Sequence, residues 1–546
     1  MKNRIKILAF FTLSTLLISC EKTLKEYNPS GITAESVFTT PEGFESLVNA
    51  AYSYQRWWYG KEEGYSLSEM GTDLWMSGAG DVYPDLTKYV NLQGTNGAVS
   101  AEWTALYAAI NLCNAGINRI GDSGLSATLK TQREAELRFL RAFYYWHIVE
   151  TWGGVHFTLE ETKGIITTAN KTPKETFYQQ IIDDLNFAVN ALSPIQADYG
   201  RVTKPAAMAF LSRVYLFNNN AIEANKMATA VLNGNYGFQL QANYADLWRM
   251  DNQKNKEVVY AISYSTNLSL NDLKDNILNP LGHSRGSNSG HMLFLMKYDT
   301  ETGMTRDLTY GRPFNRYMPT RYLLDLYQAD DARYEGSFME VWLANNPDPT
   351  KRRPGQNLGD TAVVATRKSL NATGKNYSLY DRNAIYNAAD GKVKDQLRYP
   401  TLTKFMDPTR PSFNEAQSSR DVFVIRYAEL YLNAAEAQLK MGNADSAAYW
   451  INQVRGRAAK PGKSLSITPG QVTLDFILDE RAREFAGEQI RWFDLKRTDK
   501  LIERVKAHNP DVAPNIQSYH IVRPIPRNQL DAVTNKDEFR QNTGYQ

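Results

Sequence analysis

From Pro41 onward, apolar residues recur every three to four positions along most of the first two hundred residues, the spacing that puts them on one face of a helix. Phe44, Leu47, Val48 and Ala51 share such a face in a helix predicted to start at Pro41, whose fixed φ suits a first turn. Trp103, Leu106, Ile110, Cys113 and Ile117 form the stripe of a second helix over about 100–120. Ala135, Phe139, Ala142, Trp146 and Val149 form that of a third over about 131–151, which stops at Trp152-Gly153-Gly154. Further helices are predicted over about 173–192, 204–218 and 221–233, the last ending in the C-cap signal Asn233-Gly234. The joins are short, so neighbours should be antiparallel. The spacing is like that of tetratricopeptide repeats, helical hairpins of about 34 residues, although no strict consensus aligns among them.

The pattern breaks between about 237 and 420, where Gly, Pro, Asn and Asp are frequent. Val258–Ile262 reads as a short strand, and 344–362 and 368–420 read as ordered loops or irregular insertions. Residues 60–100 also read as loops. Loops this long in a folded unit are usually functional or mobile. Helices return at about 421–441, 444–459, 473–487 and 489–506, and the tail from Ile521 reads as coil or short helix. The expected architecture is mainly α. It is one intertwined unit over 41–546, with a helical scaffold at about 41–236 and 421–506 and an irregular, ligand-facing region at about 60–100 and 237–420.

The amino terminus has a different character. Met1–Lys6 is basic and Ile7–Ile18 is apolar, too short for a membrane span of roughly twenty residues. It ends in Leu17-Ile18-Ser19-Cys20, which resembles the lipobox of bacterial lipoproteins. That resemblance implies a signal peptide over 1–19, acylation of Cys20, and a tether over 20–40 leading into the fold. Two or more acyl chains give stable anchoring to a membrane.

Composition adds constraints. Of 546 residues, 42% are hydrophobic and 22% charged, which are globular proportions. The 32 Tyr and 10 Trp are many; most read as core and groove filler of a large helical protein, and some as candidates for packing on a ligand. The leader carries Lys2, Arg4 and Lys6 and no acid, so without it 59 basic residues face 59 acidic ones. With no net positive charge and no basic run interleaved with aromatics, nucleic-acid binding has no electrostatic basis. There are two cysteines. If Cys20 is acylated no internal disulfide can form, and Cys113, on an apolar stripe, reads as a small buried hydrophobe.

Catalytic chemistry finds little support. Glu480, Glu484 and Glu488 are four apart on one helix face, but Arg481, Arg483 and Arg491 are interleaved with them, so pairing on and between helices is the simpler reading. The six histidines form no zinc-binding pattern, and neither a nucleophile elbow nor a phosphate loop is present. Gly78-Ala79-Gly80 is a lone glycine-rich turn. Asp and Asn in the loops could ligate a structural calcium ion, but no EF-hand loop accompanies them, so neither metal nor cofactor is expected. What remains is recognition. A sugar site needs flat aromatic faces with in-plane Asp, Asn, Gln or Arg. The loop from Thr72 to Asp81 with Tyr83 offers both, as does the stretch from Tyr298 through Arg306, Tyr310, Arg312, Phe314 and Tyr317, with Trp342 a third candidate. The expected ligand contacts are Asp73, Trp75, Tyr310 and Arg312.

Longer motifs carry a family resemblance over nearly the whole chain. The opening runs from Pro29-Ser30-Gly31-Ile32-Thr33 through Phe38-Thr39-Thr40 to Ala50-Ala51-Tyr52. Glu134–Tyr145 leads to Trp152-Gly153-Gly154-Val155, and Ile425–Ala437 precedes Ile451-Asn452-Gln453-Val454-Arg455. Ile477–Glu488 runs into Arg491–Arg497, followed by Pro524-Ile525-Pro526 and Gln541–Tyr545. These segments resemble the SusD/RagB family of Bacteroidetes outer-membrane lipoproteins; His156 stands where that family usually has proline. The resemblance implies a mostly helical fold with four tetratricopeptide-like units against a less regular ligand-facing region. It implies an outer-membrane location facing the cell exterior, and a SusC-like TonB-dependent barrel over which the protein sits as a lid. It implies capture, without cleavage, of oligosaccharides or polysaccharides. Two alternatives remain open on the same scaffold: a RagB-like peptide binder and a pure protein-interaction scaffold.

Overall fold

Side-chain caps set where the helices begin. Thr40 accepts from Gly43 N ahead of Pro41–Ser53, Asn96 from Val99 N ahead of Gly97–Arg119, and Ser126 from Leu129 N ahead of Ala127–Trp152; such caps satisfy amides with no partner inside the helix. Gly153, at φ 75°, turns the chain out of the third helix. Lys174–Ala191, Lys204–Phe217 and Ala221–Leu232 follow, each packed on the helix before it. The computed structural model describes residues 34–267, 288–371 and 373–546, so the leader, Cys20 and most of the tether lie outside the described residues.

Ala127–Trp152 is the central strut: every residue from Phe139 to Trp152 is buried. A helix enclosed on all sides can keep polar groups only where they are partnered. Arg141 meets Asp184 at 2.8 Å, His147 Nδ1 bonds Phe143 O, and Glu150 takes Tyr178 Oη and the Lys496 ammonium. Cys113 packs against this helix layer, fully buried.

Three stretches depart from expectation. Val422–Arg426 is a strand rather than the start of a helix. It pairs antiparallel with Val258–Ile262, Ile262 opposite Val422, and the helix proper is Tyr427–Lys440. Val422-Phe423-Val424-Ile425 is buried on both faces, so it lacks the alternation that would mark it as a strand. The span 489–506 is two helices, Arg491–Arg497 and Leu501–His508, parted by Asp499 at φ 57°. Residues 60–100 hold the helices Glu62–Ser68 and Pro84–Lys88 as well as loops. In the irregular middle, Val341–Leu343, Thr361–Ala365 and Ser378–Tyr380 form a small sheet.

Two large apolar cores result, with a small third cluster around Trp248 and Phe423. One lies among the helices, around Phe143, Trp146, Phe210 and Trp492; the other lies in the irregular region, around Trp75, Phe294, Tyr317, Trp342 and Tyr399. Between them runs a seam of buried charge borne on Leu474–Phe485 and the turn after it. Glu484 meets Arg333 at 3.0 Å, Arg426 at 2.9 Å and Arg457 at 2.5 Å. Glu480 meets Arg333, Arg455 and Arg483 at 2.7–2.8 Å, and Glu488 meets Arg426 and Lys404. Of the interleaved arginines only Arg483 pairs with these glutamates; Arg481 turns to Asp494 and Arg491 to Asp73, each at 2.6 Å. Burial alone would raise the Glu480 and Glu484 carboxyls, but the surrounding guanidiniums overcome it and hold both far below the usual range.

Other buried acids shift the opposite way. Glu69 is fully buried, and burial pushes it up to about 7 despite amides donated by Ile490 and Arg491; burial pushes Glu62 to about 7 and Asp421 to about 6. A carboxyl raised in the fold is stabilising when protonated, so this contribution is present below the unfolded value of roughly 4 and is lost as pH rises towards 7. The depressed Glu480 and Glu484 work oppositely, and their contribution fades only as pH falls below about 4.5. Buried histidines such as His147 and His291, held low by desolvation, act in the opposite sense over the same range. The carboxyl contribution is therefore isolated by substitution: Glu69→Gln is expected to lose less melting temperature than the wild type between pH ~5 and pH ~7.5. A Glu69→Gln curve parallel to the wild type across this range would contradict the sign.

Candidate functional site

In the irregular region a two-stranded ladder presents its end to solvent. Trp75–Ser77 pairs with Tyr317–Pro319, Trp75 opposite Pro319 and Ser77 opposite Tyr317. Past Ser77 the backbone lies directly on the segment Phe314–Arg316: Gly78 N donates to Arg316 O, Gly80 N to Asn315 O, and Ala79 N to Asn315 Oδ1. A Cβ on Gly78 would stand 2.3 Å from Asn315 O, and one on Gly80 2.1 Å from Phe314 O. The glycines in this turn therefore serve close backbone approach. Asn315, at φ 55°, is held in its left-handed conformation by Tyr399 Oη.

On one side of this turn is an open cleft of about 600 Å³, bordered by Ser77, Ala79, Lys88, Lys394, Asp395 and Gln396. On the other side is a shelf built on Phe314. The guanidinium carbon of Arg312 lies 5.2 Å, and that of Arg316 4.9 Å, from the Phe314 ring centroid. Arg316 is neutralised by Glu62 at 2.7 Å, whereas Arg312 donates Nη1 to the Asn414 carbonyl at 3.2 Å. Beside Asn414, Phe413 exposes 38% of its surface.

Of the four expected contact residues Arg312 belongs to this surface region, and Tyr310, Asp73 and Trp75 are buried. Arg312 lies on the shelf. Tyr310 stands two residues before it, mostly buried, its hydroxyl accepting from Leu343 N at 2.9 Å. Asp73 is fully buried, held by Arg491 at 2.6 Å and Arg504 at 3.0 Å, so it is a structural anion rather than a ligand contact. Trp75 is also fully buried, edge-on to Phe294 at 4.7 Å between ring centroids, so it fills the second core and offers no platform. Tyr298, Tyr317 and Trp342 are enclosed there as well. Sequence reading missed Arg410, Phe413, Asn414 and Gln396. The signal for the first three is the turn Asp407-Pro408-Thr409-Arg410-Pro411, which sets an aromatic residue just beyond a proline.

Among the described residues no group of three or more His, Cys, Asp or Glu side chains is placed to hold a metal ion, and no helix is long and apolar enough to cross a membrane. The surface region offers a partly exposed ring and guanidinium donors on the shelf, and amide, ammonium and carboxylate groups at the open cleft across the turn.

Comparison with known proteins covers both halves of the chain. A model described as the SusD family matches residues 218–545, and one described as "Starch-binding associating with outer membrane" matches residues 45–216. SusD-like protein P2 of Formosa agariphila is 26% identical, spanning 98% of this chain and 99% of its own. Starch-binding protein SusD of Bacteroides thetaiotaomicron is 23% identical, spanning 88% of this chain and 85% of its own. Among solved structures, surface glycan-binding protein A from Bacteroides thetaiotaomicron in complex with laminarihexaose has a TM-score of 0.66 at 20% identity, covering 92% of this chain and 99% of that one.

Proposed function

Because this chain belongs to the SusD family, we propose that it is a cell-surface glycan-binding protein. It captures oligosaccharides on the shelf and cleft flanking Gly78-Ala79-Gly80 and hands them to a SusC-like TonB-dependent barrel. It is a binding protein, not an enzyme. On this reading, acylated Cys20 anchors it in the outer membrane with the site facing outward. The observation that carries the proposal is the match over both halves of the chain to a family whose named relatives bind starch or a laminarin oligosaccharide. The site is consistent with that role: a sugar presents C–H faces and hydroxyls together, and the partly exposed Phe413 ring with the Arg312 guanidinium on the shelf answers both.

Calorimetry of the full chain against starch, laminarin, other polysaccharides and peptides tests the proposal. One glycan class is expected to bind, and Phe413→Ala to weaken it by about tenfold, the effect of losing a well-packed aromatic contact. Binding to peptides alone would instead make this a RagB-like peptide binder.

A further inference from the structure

The shelf holds two guanidiniums that have no carboxylate of their own. Arg312 makes one hydrogen bond, to the Asn414 carbonyl, and lies over the Phe314 ring. Arg410, only 4% exposed, donates Nε to the Asp407 carbonyl at 3.0 Å and Nη1 to the Glu415 carbonyl at 2.5 Å, while its Nη2 has no partner. Asn414 and Glu415 are successive residues, so the two cations are docked on neighbouring carbonyls of one loop. Burial, with Arg312 adding to it, holds Arg410 below the usual arginine value against the pull of Asp407 and Glu415.

Two carboxylates, Asp407 and Glu415, and a third guanidinium, Arg420, face this pair. Asp407 accepts from Thr409 and from Ser418, and Glu415 accepts from Gln417 N. Arg420 donates to the carbonyls of Trp248 and Met406, and Arg316 is matched by Glu62. Among the described residues neither Arg312 nor Arg410 forms an ion pair. Asp407 and Glu415 attract Arg410 through space, whereas Arg312 repels it and, among the described residues, has no carboxylate in contact. A planar guanidinium fork, steadied by the ring beneath it, matches a carboxylate or sulfate group in two-point contact.

We infer that the ligand supplies the missing anion: the shelf takes an acidic saccharide, bearing carboxylate or sulfate groups, with Arg312 gripping the anionic group and Arg410 supporting it from below. This rests on the glycan-binding reading and narrows it. A neutral sugar would leave Arg312 without an anion, and its hydroxyls would use only single N–H groups of the fork.

The full-length chain purified in detergent, titrated calorimetrically with two matched pairs, tests the inference. The first pair is oligogalacturonate and its methyl ester, the second dextran sulfate and dextran. At least one acidic member should bind about tenfold or more tightly than its neutral counterpart, a difference of roughly 1.4 kcal/mol. That preference should shrink between ~0.05 and ~0.5 M salt as charges are screened. Arg312→Ala should abolish it at unchanged melting temperature, and Arg312→Lys, which keeps the charge but not the fork, should retain only part. Which pair responds distinguishes carboxylate from sulfate. Equal binding of acidic and neutral members, or a preference that survives Arg312→Ala, would overturn the inference. Binding of neutral glycans alone would overturn it while leaving the glycan-binding reading intact, and binding of no glycan in either this or the broader panel would overturn both.

Discussion

Glu484→Ala is expected to cost about 3–5 kcal/mol of stability, the usual result of breaking a buried ion pair by removing one partner. Its carboxylate is the meeting point of Arg333, Arg426 and Arg457, all nearly or fully buried. The intact seam need not add much net stability, because desolvation offsets most of the attraction. The variant, however, strands three cations that keep only their remaining partners: Asp331 and Glu480 for Arg333, Glu257 and Glu488 for Arg426, and Glu257 for Arg457. Denaturant titration measures the loss. A change below about 1 kcal/mol would mean that the seam relaxes or admits water far more readily than its close packing suggests. Since a domain's whole margin is about 5–15 kcal/mol, the variant should also be cleaved faster by protease.

Asp73→Ala should be destabilising on a similar scale, about 3–5 kcal/mol, for the same reason: it removes the anion shared by Arg491 and Arg504. Burial would raise this carboxyl, but the two guanidiniums hold it below the ordinary aspartate value. Below the melting transition, ligand affinity of the folded protein should be unchanged, because Asp73 has no exposed surface. Melting curves and calorimetry on the same preparation separate the two effects. An affinity loss with stability intact would return Asp73 to the ligand site.

The contrast between Asp73 and Arg312 shows what could be read from sequence. The long helices were legible because one apolar face per helix leaves a period of 3.6; the first begins at Pro41 as expected, while the second and third begin at Gly97 and Ala127, a turn ahead of the apolar stripe, where Asn96 and Ser126 cap them. The strand Val422–Arg426 was not, because burial on both faces erases the period. Asp73 and Trp75 looked like a sugar-binding pair since residue type and loop setting were right. Their true partners are remote: Arg491 is 418 residues from Asp73 and Arg504 is 431, and no local pattern announces such a pairing. Arg312 was found because it sits in a short aromatic and basic run. The loop carbonyls that seat it, and Arg410 beside it, come from about a hundred residues away.

The seam also imposes an order on self-assembly. Glu257 waits for Arg457, 200 residues later, and Arg333 waits for Glu480, 147 residues later. A chain emerging from its amino terminus can stack its first helices locally, but Arg333, Arg426 and Arg457 cannot gain the carboxylate they share until Leu474–Phe485 has appeared. Closing such long loops is entropically slow, and topologies rich in distant contacts fold correspondingly late. For much of its synthesis the chain therefore carries unmatched charge at the boundary between its two cores. That charge keeps the nascent boundary hydrated until the last helices arrive to seal it.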